Sequence, residues 1–141
     1  MTGSAFLDTN VLVYAFDDDE PHKQAQARGL LDSPPMDSLV VSTQVLAEFY
    51  VTVTRKLARP VAPVIAQQAV AALRELPVIG MDADFVVAGI ELSDRHQLSL
   101  WDGLIVQAAI AGGCDTLLTE DLADGSVLDG VRIQNPFAPA T

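Results

Sequence analysis

Residues 5–16 read AFLDTNVLVYAF, an apolar run interrupted at its centre by Asp8, Thr9 and Asn10. A carboxylate, a hydroxyl and an amide in succession are costly where the core pattern is strongest, because an unpartnered polar group loses its hydration on burial. Two readings are open. The triplet turns a buried strand into the next element, or it floors an active site. The decision rests on the other acids and on where the fold delivers them.

Short apolar segments of the same kind recur at 39–41, 116–118 and 131–133, so these and 5–7 read as buried strands. Between them lie stretches with helical spacing. Residues 17–33 (DDDEPHKQAQARGLLDS) open with an N-cap signal and Pro21, which suits a first helical turn. Residues 42–59 run from a Ser/Thr cap to a stop at Pro60, and 63–76, 82–97 and 99–113 complete five helices, the last closed by Gly112 and Gly113. Strands separated by helices, with no repeat, low-complexity tract or linker, imply an α/β chain with a parallel sheet covered on both faces. In such sheets ligands sit beyond the carboxyl ends of the strands. Asp8 directly follows the first strand, and Thr119–Glu120–Asp121 follows the strand TLL, so both groups should share one sheet edge.

With 141 residues and half of them hydrophobic, the chain has the size and composition of one domain spanning 1–141. No apolar run is long enough for a membrane helix, and the N-terminus lacks a basic segment, so a cytoplasmic location is expected. One cysteine, Cys114, permits no internal disulfide and reads as a small buried hydrophobe. Nineteen acidic against eight basic residues give a net charge of −11. That surface repels phosphate backbones unless cations bridge the two, and it attracts basic protein segments or divalent metal.

Glu48 lies amid apolar and small residues (VLAEFY) in the 42–59 helix, with Thr52, Arg55, Lys56 and Arg59 on roughly the same face. It reads either as the start of a solvated stripe or as part of a pocket. Asp102, in SLWDG, is the third residue of a helix capped by Ser99, where an acid complements the helix dipole, so capping and function are both open. Trp101 beside it reads as core rather than as a base-stacking platform. The acids at 17–20 read as a solvated loop and cap. Asp8, Glu48, Asp102 and an Asp of the LLTEDLADG loop, which offers Glu120, Asp121 and Asp124, nevertheless come from elements that a parallel sheet brings together. Close carboxylate pairs repel by ~4 kcal/mol at an effective dielectric near 20, which protons or cations must offset. All-oxygen ligation selects Mg²⁺ or Mn²⁺ over zinc, and His22 and His96 lack zinc spacing.

Taken in order, LDTNVLVYA, the AEF glutamate, LWDGLIVQAA and LLTEDLADG resemble the PIN-domain ribonucleases, specifically the VapC-type toxins of bacterial toxin–antitoxin pairs, across nearly the whole chain. The resemblance implies a three-layer α/β/α sandwich around a mainly parallel sheet and RNA cleavage with Mg²⁺ or Mn²⁺. Carried over by position, Asp8, Glu48, Asp102 and Asp121 are its catalytic metal ligands, and Thr9, Asn10 and Thr119 orient them. The chemistry is then attack by metal-activated water on RNA. Lys23, Arg55, Lys56 and Arg59 are candidates for RNA phosphate contacts. A cognate antitoxin and a homodimer, through the helices around 64–76 and around Glu48, are the expected partners. Receiver domains and aspartate phosphatases need a late lysine, whereas the last lysine here is Lys56, and no GxGxxG, P-loop or GxSxG motif is present. The non-enzymatic alternative is an acidic interaction module that binds a basic partner.

Overall fold

The computed structural model describes residues 3–34 and 36–138. Six strands, β1 (Ser4–Leu7), β2 (Ser38–Ser42), β3 (Val78–Ile79), β4 (Thr116–Leu118), β5 (Val127–Leu128) and β6 (Val131–Gln134), form one sheet in the order β3-β2-β1-β4-β6-β5. Every pairing is parallel except that of β5 with β6. Among the described residues the α-helices are α1 (Thr9–Tyr14), α2 (Pro21–Asp32), α3 (Thr43–Val51), α4 (Pro63–Leu73), α5 (Ala83–His96) and α6 (Leu100–Ala111).

β1 is interior to the sheet, with Ala5, Phe6 and Leu7 all fully buried. A strand buried on both faces needs apolar residues at every position, which is why this segment reads as a continuous run rather than an alternation. β6, nearer the margin, does alternate: Val131 and Ile133 are inward and Arg132 and Gln134 outward. Helix α6 lies over β1, β2, β4 and β6 with α5 packed on it, while α1 to α4 form the other helical group around the Phe16–Phe49 edge-to-face pair. These are the three α/β/α layers expected. The buried side chains form one core, and no helix of the described residues is long and apolar enough to cross a membrane.

Four local features depart from the sequence reading. The chain enters α1 directly after Asp8, a short helix that the apolar run conceals. Strands β3 and β5 are two residues each, too short to show any period. Glu20 stands at the N-cap of α2 without a side-chain cap bond. The helix expected over 42–59 is regular only to Val51 and continues as a π-helical turn over Thr52–Lys56, closed by Leu57 N–H donating to Thr52 O at 3.2 Å. Four consecutive β-branched residues, Val51 to Thr54, crowd this stretch, and Thr54 Oγ1 donates back to Tyr50 O at 2.7 Å, competing for the helical acceptor. At Leu57 the backbone becomes extended, so Arg59 lies off the helix.

The contact between α5 and α6 explains the glycine of LWDG. A Cβ at Gly103 would come within 2.6 Å of Ser93 Cβ and 2.7 Å of Gly89 O, the latter being backbone that cannot swing aside. Gly103→Ala is therefore expected to force the two helices apart, at a cost of about 1–3 kcal/mol. Thermal unfolding should show a midpoint lowered by several degrees. An unchanged midpoint would show that the helix pair tolerates the extra methyl.

Candidate active site

The triplet that interrupts the first apolar run is the centre of the site. Asp8 N–H donates to Leu118 O at 3.0 Å, tying the end of β1 to β4. The side chain then caps α1, Oδ1 accepting from Thr9 N–H at 2.7 Å, while Oδ2 accepts from Thr119 Oγ1 at 2.8 Å. Asp8 is only 5% exposed. Burial pushes its carboxyl from 3.8 up to about 6, against the lowering effect of the two hydrogen bonds, and the charges of Asp121 and Asp102 push the same way as burial.

The first two residues of α1 reach the neighbouring acids. Thr9 Oγ1 donates to Glu48 Oε2 at 3.0 Å and Asn10 Nδ2 to Asp121 Oδ2 at 2.9 Å. Glu48, on the exposed side of α3, also accepts from Gln44 Nε2 at 3.0 Å. The sequence reading passed over Gln44, and its spacing of four residues from Glu48 is the signal that would have found it. Thr119 Oγ1 donates to Asp8 and accepts from Asp121 N–H at 3.1 Å, so one hydroxyl sets two acids. At the start of α6, Asp102 N–H donates to Ser99 Oγ at 3.1 Å. Ser99 thus supplies the cap, and the Asp102 carboxyl is raised by burial first and then by Asp121 and Glu48. All four acids sit in one electrostatic neighbourhood at the carboxyl edge of the sheet.

The basic candidates divide. Lys23 Nζ is 2.9 Å from Glu120 Oε2 and 3.2 Å from Tyr14 OH, and it stands 4.6 Å from the Tyr14 ring centroid. Beside the Glu120 carboxylate, the Lys23 ammonium holds its proton more firmly than usual. Tyr14 OH completes this cluster by donating to Glu120 Oε1, a group that sequence reasoning missed because its members are far apart in the chain. Arg59 donates through Nη2 to Asp19 Oδ1 at 2.6 Å and so faces the 17–20 loop rather than Glu48. Among the described residues, Arg55 and Lys56 make no ion pair. Lys56 shares an open groove with Ala47, Glu48, Val51, Thr52 and Trp101. Trp101 is 61% exposed and is not the core residue expected.

The donor set fits a hard divalent cation. It is all oxygen, the carboxyls of Asp8 and Asp102 are raised partly by their acidic neighbours, and Asn10 Oδ1 is buried with no hydrogen-bond donor. The four carboxylates would hold such a cation, and its charge would offset the repulsion between them. Among the described residues no three acids, histidines or cysteines stand close enough to form a ready-made metal cage. Glu48 and Asp121 are instead engaged by Thr9 and Asn10.

The sheet is mostly parallel, and Asp8, Glu48, Asp102 and Asp121 lie at its carboxyl edge. Residues 5–123 match the PIN domain, and the chain belongs to that family. No curated protein matches it by sequence. Among solved structures, VapC20 of Mycobacterium tuberculosis, a sarcin–ricin-loop-cleaving toxin, has 22% identity over 83% of this chain and 91% of its own, with a TM-score of 0.65. A toxin–antitoxin complex from Klebsiella pneumoniae has 23% identity over 94% of this chain and 97% of that one, with a TM-score of 0.66. VapBC2 of Rickettsia felis, bound to promoter DNA, has 22% identity over 94% and 98%, at 0.62. At these identities the likeness is one of fold.

The buried Asp8 makes stability depend on pH. Its folded value, about 6, lies above the ordinary 3.8. The charged form is therefore disfavoured by folding: no penalty exists below pH 3.8, it grows through the interval, and it is complete above pH 6. The full penalty is of order 2–3 kcal/mol, with roughly half remaining at pH 5. Asp8→Asn keeps the Oδ1 cap but gives up the charged acceptor for Thr119, which offsets about 1 kcal/mol. In EDTA its unfolding midpoint should exceed that of wild type at pH 8, and the difference should shrink at pH 5. An equal or lower midpoint at pH 8 would show that burying this charge costs nothing.

Proposed function

We propose that this PIN-domain chain is a Mg²⁺- or Mn²⁺-dependent endoribonuclease and the toxin of a toxin–antitoxin pair, its 141 residues working as a single cytoplasmic nuclease domain. The observation that carries the reading is the gathering of Asp8, Glu48, Asp102 and Asp121 at one sheet edge, with Asp8 buried and its carboxyl raised first by that burial and further by Asp121 and Asp102. Fold likeness to a toxin described as cleaving the sarcin–ricin loop supports RNA as the substrate class. Likeness to toxin–antitoxin complexes supports an antitoxin as partner.

On this reading Asp8, Glu48, Asp102 and Asp121 hold the cation, directly or through water. When bound, that ion supplies an activated water and offsets charge on the leaving oxygen. The chain's own contribution is position. Thr119 and the Thr9 amide fix Asp8, while Thr9 and Asn10 hold Glu48 and Asp121 until a ligand takes them. No side chain here is an evident nucleophile, so products should carry 5′-phosphate and 3′-hydroxyl ends. The net charge of −11 suits an antitoxin whose basic side chain enters the acids in place of metal. Val64 and Ile65 of α4, 58% and 46% exposed, together with Leu46 and Tyr50 beside the α3–α4 groove, offer an apolar surface for a homodimer.

The test is incubation of total cellular RNA with purified protein and Mn²⁺, against EDTA and against Asp102→Asn. Discrete cuts that disappear in both controls are expected, with Asp102→Asn lowering the rate at least 100-fold, and end-labelling should find 5′-phosphates. Products ending in 2′,3′-cyclic phosphate would overturn the metal–water chemistry. Absence of Mn²⁺ binding by calorimetry would overturn the metal site.

Phosphate contacts are read from the salt dependence of RNA binding in EDTA. Arg55→Ala and Lys56→Ala should each flatten the slope by about 0.7–1. Arg59→Ala should leave it unchanged, because Arg59 is occupied by Asp19. Unchanged slopes for the first two would remove them from the RNA path.

A further inference from the structure

Trp101 is the only tryptophan of the chain, and it stands in water beside the acids. It lies in the first turn of α6, immediately before Asp102, and the residues that follow, Gly103 to Val106, are all buried. Leaving 61% of this residue exposed forfeits much of the hydrophobic gain that burial would bring. Among the described residues no ring and no cation covers the indole. The aromatic pairs are Tyr14–Phe137 and Phe16–Phe49, and the cation–ring contacts belong to Lys23. The indole instead forms one wall of the groove that contains Glu48, Thr52 and Lys56. Lys56 brings a positive charge to that groove, carried there by the π-helical turn, and among the described residues it makes no ion pair.

We infer that Trp101 is a platform on which an unpaired nucleobase of the RNA stacks, with Lys56 receiving a neighbouring phosphate, so that the adjoining phosphodiester is presented to Asp8, Glu48, Asp102 and Asp121. This rests on the nuclease reading above and adds a substrate class to it. A base inside a duplex has both faces covered, so a stacking platform selects loops, bulges and single strands. Stacking tolerates every base, because each has a π-face, so the platform alone confers little sequence preference. The pairing of an aromatic face with a cation beside it is the arrangement by which single-stranded nucleic acid is held, one group for the base and one for the backbone. A protein partner is the competing occupant, since the apolar α3–α4 groove adjoins at Ala47 and Val51. The unpaired lysine and the catalytic acid in the Trp101 groove favour RNA.

The single tryptophan makes the test direct. Wild-type protein in EDTA is titrated with an oligoadenylate, with an abasic strand of equal length, and with a blunt duplex, while indole fluorescence is recorded. Saturable quenching by the oligoadenylate, and little by the other two, is expected. By anisotropy of labelled oligoadenylate, Trp101→Ala should bind about 5- to 100-fold more weakly and Trp101→Phe only a few-fold more weakly. Lys56→Ala should weaken the oligoadenylate and the abasic strand alike. Because Trp101 contributes little to the core, Trp101→Ala should melt like wild type, which controls for folding. Equal quenching by the abasic strand would overturn the inference. So would wild-type RNA affinity in Trp101→Ala together with a changed oligomeric mass, which would assign the indole to a protein interface. If the protein cuts RNA with Mn²⁺ but ignores Trp101, only this inference falls. If it neither binds nor cuts any RNA, the nuclease reading falls with it.

Discussion

The structure turns on one buried carboxylate. Asp8 sits where the central strand β1 ends between β2 and β4, and it is among the few polar side chains that the core admits. Its two hydrogen bonds, from the Thr9 amide and the Thr119 hydroxyl, do not cancel the cost of burial, since its carboxyl is still raised to about 6. The two readings of the DTN triplet prove compatible. Asp8 caps α1 and so makes the turn, and the same cap aims Thr9 at Glu48 and Asn10 at Asp121. One helical turn thereby sets three acids from three parts of the chain, and Thr119, at the end of the neighbouring strand, braces two of them.

Such a constellation is legible in sequence because its members lie at strand ends and helix starts, where short-range patterns are strongest. The run at 5–7, the TLL before Thr119 and the Ser99 cap before Asp102 each announce an element boundary, and a parallel sheet gathers boundaries of this kind at one edge. Which four of the nineteen acids form the proposed site is carried by the order of the motifs along the chain, not by any local pattern around one acid. Periodicity could not foresee what depends on distant partners. Arg59 was read with the Glu48 face by continuing a helix through Val51–Thr54, but crowding there opens a π turn and Asp19, forty positions away, takes the guanidinium. Lys23 is a phosphate-contact candidate by sequence, and its pairing with Glu120 is hidden there because the two are remote in the chain. Strands β3 and β5 exist through their pairings, not through any preference of two residues. Trp101 was assigned to the core because large apolar residues usually are, and its 61% exposure is informative for that reason.

The distribution of positive charge carries the last step. The chain carries eight basic residues against nineteen acids; Lys23 is committed to Glu120 and Arg59 to Asp19, whereas Lys56 shares the Glu48 groove and among the described residues makes no ion pair. Exposed ion pairs of this kind contribute little stability. What they do is hold Lys23 on Glu120 and Arg59 on Asp19, while Asp121 and Asp102 add to the effect of burial in raising the Asp8 carboxyl, and Asp121 and Glu48 do the same for Asp102. A lysine placed among the four would relieve that repulsion and stabilise the fold, and it would also close the pocket to any other cation. Among the described residues no basic side chain pairs with any of the four, so on the proposed reading their counter-charge comes from outside the chain. On the proposed reading a divalent ion and a basic antitoxin side chain compete for the same carboxylates, and the strain in the acid cluster is what makes each of them bind.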